Sequence, residues 1–312
     1  MIRKIMFFAI VVFSFLACEE EINYQGVYEE NYSLFCVINA DSNKQTAMIK
    51  KNFSDKNSDA NNYVQDVTIY LSGKNKSEQL KDSSFINSNE LTEIYYTDNF
   101  KPANGSKVEI IAEIPNGKIL SSTISVPYFT LFFFEESNLF IPDYDNPSRL
   151  FVGWSLHDGS DGLSFLTRLS INYIVNKNGV ETKHIFAVPV EYIIQFDNKL
   201  PVYPQATRTA FQIYRQSIID ETLNEISAGD TSKSSYTIQS ANFDVFIMEQ
   251  NLANYSASIE SFKNSFSVKV YEPVITNIEG GLGVFGAYVK RSMKINFEPS
   301  YVRSFGYNYR KD

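Results

Sequence analysis

The stretch Lys107 to Pro127, KVEIIAEIPNGKILSSTISVP, reads as two strands, Lys107 to Ile114 and Ile119 to Val126, joined at Pro115-Asn116-Gly117. Asn-Gly between apolar runs is a strong hairpin signal, because both residues tolerate the positive φ of a tight turn. Upstream, the turn Pro102-Ala103-Asn104-Gly105 separates this hairpin from a strand over Glu90 to Thr97. Asp66 to Ser72 sets Val67, Ile69 and Leu71 on one face and stops at Gly73. Tyr32 to Asn39 alternates Leu34, Cys36 and Ile38 with Ser33, Phe35 and Val37, so both faces read as buried. A further strand is expected around Thr46 to Lys51, while Asn52 to Asn62 and Ser83 to Asn89 read as polar connections. About seven short strands separated by turn chemistry predict an antiparallel sandwich of immunoglobulin or fibronectin-III type over residues 24–127, closed by Pro127.

Beyond Pro127 the pattern predicts a second antiparallel β domain, residues 128–312, with one or two helical insertions. Tyr128 to Phe134 is an aromatic strand, and Glu135 to Pro147 is polar and rich in turn residues. Leu150 to Leu156, Leu163 to Val175 and Lys183 to Phe196 read as longer strands. From Thr207 to Ile226 the period changes: Phe211, Tyr214, Ile218, Ile219, Leu223 and Ile226 share one helical face. Asn242 to Met248 is a strand, and Glu249 to Phe262 a shorter helix. Strands over Phe266 to Tyr271 and Ala287 to Phe297, then the alternation Phe305, Tyr307, Tyr309, complete the chain.

The amino-terminal residues carry an address. Arg3 and Lys4 precede an apolar run from Ile5 to Leu16, interrupted only by Ser14, and then Ala17-Cys18-Glu19-Glu20-Glu21. A charged start, a short apolar core and a small residue before cysteine form a lipoprotein signal peptide, residues 1–17. The apolar run is short of the roughly 20 residues that a membrane helix wants. Cys18 is the expected site of lipidation, by diacylglyceryl and fatty acyl groups such as palmitate. Residues 18–23 form an acidic tether, in which Glu19, Glu20 and Glu21 read as an export signal to the cell surface.

Composition narrows the function. The formal charge of −8 argues against nucleic acid, whose phosphates need clustered Lys and Arg. The two cysteines are Cys18 and Cys36, so acylation of Cys18 leaves no pair for a disulfide or a thiolate metal site. Cys36 reads as a small buried hydrophobe. Aromatic residues make up 15% of the chain, which suits sheet cores.

Several motifs resemble catalytic or cofactor sites. Gly281-Leu282-Gly283-Val284-Phe285-Gly286 matches the G-x-G-x-x-G dinucleotide fingerprint in letters, but a strand follows it where the fingerprint needs a helix. It reads instead as a glycine-permitted loop or bulge. Asp143, Asp145, Asp158, Ser160 and Asp161 could offer hard oxygen ligands to calcium, yet they lack the full calcium-loop pattern, and Asp-Gly pairs serve as turns. His157 and His184 are the two histidines; neither sits in a zinc spacing, and no Ser sits in G-x-S-x-G. No cofactor and no catalytic residue is expected, and the chain reads as a binding protein rather than an enzyme.

The lipoprotein start, the strand-rich unit ending in Ser125-Val126-Pro127, and above all Asn277-Ile278-Glu279-Gly280-Gly281-Leu282-Gly283-Val284-Phe285-Gly286 resemble the Bacteroidota lipoprotein family catalogued as domain of unknown function 4249. That resemblance implies a surface-exposed accessory subunit seated on an outer-membrane β-barrel of the TonB-dependent receptor type. Gly281, Gly283, Phe285 and Gly286, with Phe305, Tyr307 and Tyr309, are the residues expected at its interface. The alternative is a cell-surface hydrolase of glycans or peptides.

Overall fold

The computed structural model describes residues 31–52, 64, 66–74, 76–87, 90–159, 161–195, 198–227, 229–230, 232–264 and 275–311. The signal peptide, the acidic tether with Cys18 and Glu19 to Glu21, most of the Asn52 to Asn62 loop, and the strand expected over Phe266 to Tyr271 lie outside these residues.

The first unit is the expected sandwich. Its strands are β1 (Asn31–Asn39), β2 (Gln45–Asn52), β3 (Thr68–Gly73), β4 (Lys76–Gln79), β5 (Lys81–Asn87), β6 (Glu90–Thr97), β7 (Lys107–Glu113) and β8 (Ile119–Ser125). One sheet runs β1-β2-β6-β5 and the other β4-β3-β7-β8, every pair antiparallel. With the strands lettered A to G in chain order and β4 as an added edge strand, this is ABED packed on CFG, the immunoglobulin arrangement. The β7–β8 hairpin shows why it forms. Val108, Ile110 and Ala112 point inward and are fully buried, while Glu109 and Glu113 face water. Gly117 takes φ +85°, and its N–H donates to the Ile114 carbonyl at 2.9 Å. Strands β4 and β5 stand where the sequence reads as polar; both are sheet edges, where charged and polar residues guard unpaired backbone groups.

The second unit holds β9 (Leu131–Phe134), β10 (Phe140–Ile141), β11 (Arg149–His157), β12 (Ser164–Lys177), β13 (Val180–Val188), β14 (Glu191–Gln195), β15 (Asn198–Val202), β16 (Phe211–Arg215), β17 (Tyr236–Met248), β18 (Leu282–Phe297) and β19 (Asn308–Tyr309). Its helices are α1 (Gln216–Ile226), α2 (Gln250–Asn264) and α3 (Pro299–Ser304). The strands β13-β12-β17-β18 form one layer and β16-β11-β9 another, with Trp154, Tyr214, Phe165 and Phe243 packed between them.

Two expectations are corrected here. The helix over Thr207 to Ile226 is half strand: residues 211–215 pair with β11, and Arg215 is still extended, so the helix begins at Gln216. Tyr214 is buried under either period, which is why the two overlap in the sequence. The single strand over Lys183 to Phe196 is broken after Val188, because Pro189 has no N–H for the ladder, and the β14–β15 hairpin follows.

The boundary at Pro127 does not separate two sheets. Strand β18 pairs in parallel with β1, from Ser33 opposite Leu282 to Asn39 opposite Tyr288, and antiparallel with β17, from Met248 opposite Tyr288 to Ser240 opposite Asn296. Successive carbonyls serve opposite edges: Tyr288 O accepts from Ala40 N and Ala287 O from Glu249 N. The described residues therefore form a ten-stranded sheet shared by both units, and one hydrophobic core runs from Leu34 and Ile110 through to Trp154 and Phe243.

Gly283, at φ +110°, sits in that junction, and a β-carbon there would fall inside contact distance of the Leu34 carbonyl. Gly283→Ala is expected to lose about 3 kcal/mol or more, strain and clash together. Gly179, at φ +83° but with open space around it, should lose about 1 kcal/mol as Gly179→Ala. Urea midpoints of the two variants test the difference; equal losses would place the β1–β18 approach outside the critical packing.

Candidate functional site

The glycine stretch is a seam inside the fold. Ser121 and Glu279 exchange main-chain bonds at 3.1 and 2.8 Å, fastening the approach to β8. Asn277 then uses its side-chain amide as a short strand: Nδ2 donates to Phe285 O at 2.7 Å, and Oδ1 accepts from Phe285 N at 2.9 Å. A β-carbon on Gly281 would meet Tyr32 O at 2.6 Å, and one on Gly286 would meet Leu252 Cβ of α2 at 2.7 Å. These glycines let backbone approach β1, β8 and α2, as glycine does where no side chain fits. Phe285 is fully buried in the core, so it has no surface for a partner, and its place as an interface anchor is corrected. The motif runs on as β18 without a helix after it.

The tail alternation Phe305, Tyr307, Tyr309 is built into the fold rather than running as one strand. Phe305 follows α3 in a turn, Tyr307 is buried, and Tyr309 lies in β19, which pairs in parallel with β17. Tyr307 donates its hydroxyl to Leu223 O at 2.5 Å. Tyr301 donates to Asp220 at 2.6 Å and accepts from Gln216 at 2.8 Å, tying α3 to α1; burial and this carboxylate push its phenol far up. Arg310 forks onto Glu181 at 3.0 and 3.2 Å.

Cys36, Asp143, Asp158, His157 and His184 make structural contacts, while Ser160 lies outside the described residues. Burial pushes the Cys36 thiol up to about 12, leaving it without thiolate character near neutral pH. Asp143 Oδ1 accepts from the N–H groups of Asp145 and Asn146, and Asp158 accepts from Thr130 Oγ1 at 3.0 Å. His157 stacks on Phe133, and His184 stacks on Tyr173.

A groove absent from the sequence reading lies on the outward face of β12, β17 and β18. Leu166, Phe246, Met248 and Tyr288 line its floor, and the register sets Leu166 opposite Phe246 and Met248 opposite Tyr288. Leu252 and Ser256 of α2 form one wall; Tyr203 to Ala206, held by the Phe165–Thr207 bridge, form another. The volume is about 580 Å³, the size of a small-molecule site. A second cleft of about 620 Å³ lies between the units, but its buried carboxylate, Glu249, caps α2 by accepting from Asn251 N and Leu252 N at 2.8 and 2.7 Å. Burial nevertheless pushes the Glu249 carboxyl up.

At the groove rim Asp244 accepts from Ser292 Oγ at 2.7 Å and from Arg168 Nη2 at 2.9 Å, and pairs with Lys290 Nζ at 3.0 Å. Burial alone would raise the Asp244 carboxyl; the bonds from Ser292, Arg168 and Lys290 outweigh it and hold it below the ordinary value. Arg168 and Lys290 also lie over the Phe246 ring, at 5.2 and 5.7 Å.

No protein-family model and no curated protein matches the chain. Among solved structures, the crystal structure of the mouse nectin-like molecule 4 full ectodomain, Ig1–Ig3, is similar at a TM-score of 0.20 and 9% identity, over 86% of this chain and 65% of that one. The chain thus spans under two thirds of that ectodomain. The sandwich rests on its own strand order and pairing.

Tyr307→Phe should cost about 1 kcal/mol and Tyr307→Ala about 3 kcal/mol or more, read from denaturant midpoints; an unchanged Tyr307→Ala midpoint would make the tail dispensable. Because the Asp244 pKa is lowered by folding, its stabilisation is complete above the unfolded value and fades as pH falls through the folded one. Asp244→Asn should therefore cost about 1–2 kcal/mol at pH 7, read from the denaturant midpoint, less than for a fully buried pair because Arg168 is half exposed. The gap to wild type should narrow below pH 4 or so.

Proposed function

We propose that this chain is a surface-exposed outer-membrane lipoprotein, anchored through Cys18, that serves as a non-catalytic binding subunit of an outer-membrane β-barrel of the TonB-dependent receptor type. The observation that carries the binding reading is the groove: it has an apolar floor, and its carboxylate neighbour Asp244 is committed to Ser292, Arg168 and Lys290 rather than poised as an acid or base. The leader residues and the resemblance to the family of domain of unknown function 4249 support the location and the barrel partner.

A second surface suits a protein partner better than the glycine stretch does. On the outer face of β16-β11-β9, the cross-strand pairs are Gly153 with Phe211, Ser155 with Phe133, and His157 with Leu131. Leu131, Phe133 and Phe211 are 53%, 41% and 45% exposed, and Phe151 stacks on Phe211 at 5.6 Å. The Glu135 carboxylate lies over the bare Gly153 backbone and accepts from Ser155 Oγ at 3.4 Å, so one acidic side chain stands among these aromatic residues; aromatic anchors central to an interface contribute about 2 kcal/mol or more each.

Purification from detergent-solubilised outer membranes tests the reading. A barrel protein should co-purify in stoichiometric amount, and Phe133→Asp with Phe211→Asp should release it while the chain stays folded. Cys18→Ala should abolish fatty-acid labelling and membrane retention. A chain recovered alone, or still labelled without Cys18, would sink the proposal.

A further inference from the structure

The groove has a charged end as well as an apolar floor. Two cations, Arg168 and Lys290, share the single carboxylate Asp244, at 2.9 and 3.0 Å. The neighbouring carboxylate Asp41 is matched by Arg291 at 3.3 Å, so one positive charge is left over at the rim, in a chain whose formal net charge is −8. Arg168 lines the groove with its side chain 52% exposed and engages Asp244 through Nη2. A guanidinium has five N–H donors in a fork that fits carboxylates, so one engaged nitrogen leaves donors for a ligand. The charged end is also continuous with the apolar end, because both cations lie over the Phe246 ring that forms the floor.

Those features select a ligand class. A cationic head would meet Arg168 and Lys290 together. A neutral apolar body would leave the Arg168 fork desolvated without a partner, which costs binding energy. A head carrying two charges exceeds the single charge left over at the rim. The walls of α2 and Tyr203 to Ala206, with a volume of about 580 Å³, fit one small molecule better than a strand or helix of a partner.

We propose that the groove binds a single-chain amphiphilic carboxylate, its apolar body along Leu166, Phe246, Met248 and Leu252 and its head on Arg168. The inference rests on the groove's being a binding site, as argued above, and adds the chemistry of its occupant.

The test uses the full chain and a fluorescent probe, dansylamino-undecanoate, displaced by laurate or by its neutral analogue dodecanol. Laurate should displace the probe about ten-fold more effectively than dodecanol. Arg168→Gln should remove that preference with little change for dodecanol, and Arg168→Lys should restore part of it. Ser256→Trp, which fills the groove from the part-buried wall of α2, should block the probe in a chain whose circular dichroism and melting match wild type. Equal displacement by laurate and dodecanol, or an unchanged preference in Arg168→Gln, would overturn the carboxylate assignment while leaving the groove as a site. A probe that fails to bind wild type, or binds Ser256→Trp as well as wild type, would overturn the groove reading and this inference with it.

Discussion

The parallel approach of β18 to β1 is the contact on which the remaining architecture depends. Strand β1 would otherwise end a sandwich sheet with a row of unpaired backbone groups, a template for aggregation. Seven residue pairs from Ser33–Leu282 to Asn39–Tyr288 close that edge. The approach works because Gly283 takes a φ of +110° beside Leu34, and because Gly281 brings the chain past Tyr32 O and Leu120. On its other side β18 continues the ladder into β17 and β12, so the sandwich sheet and the sheet of the second unit are one ladder through β18. Gly286 extends it to the groove, since the bare backbone there lets Leu252 lie close to the sheet and sets the height of the α2 wall.

Charge placement follows the same sheet. Arg168, Asp244, Lys290 and Ser292 stand on neighbouring strands of the outward face, in register, so Asp244 meets both cations and the hydroxyl without distortion of the ladder. Cross-strand opposite charges contribute roughly 0.2–1 kcal/mol per pair, and the buried Asp244 makes two such pairs. The low pKa of Asp244 reflects that its bonds outweigh its burial. In the cleft between the units, Glu249 shows the reverse balance: main-chain donors at the start of α2 hold the carboxylate, but burial dominates and raises it. One carboxylate is thus stabilised as an ion among cations, and the other is held by a helix start where water is scarce.

Much of the sandwich is legible in the sequence because its interior strands alternate cleanly and its turns carry Asn-Gly chemistry. Lys107 to Ser125 is the clearest case. The polar edges β4 and β5 are not legible, because the residues that protect an edge are those that otherwise mark a loop. Thr207 to Ile226 fits two periods at once, and the β11 partner that decides between them lies about 60 residues earlier in sequence. The glycine stretch stands out as unusual in the sequence, but its meaning depends on Leu34, Tyr32 and Leu252, which are remote along the chain. The groove is hidden for the same reason: Leu166, Phe246 and Tyr288 meet through strand register, Leu252 and Tyr203 come from a helix and a loop folded over them, and none carries a motif.

The two surfaces of the second unit occupy opposite layers. The groove lies on the outer face of β12, β17 and β18, and the exposed Leu131, Phe133 and Phe211 lie on the outer face of β16-β11-β9. Between them Trp154 packs on Phe165 and Phe243, and Tyr214 packs edge-on to Phe243. Alternation along each strand makes this possible, since Phe243 points into the core while Asp244 points to the groove rim, and Trp154 points inward while Ser155 faces out beside Phe133. A proposed protein partner on one layer and a proposed small ligand on the other would not compete for space. Each would bear on the same close-packed core, whose rigidity holds the groove floor in place whichever surface is occupied.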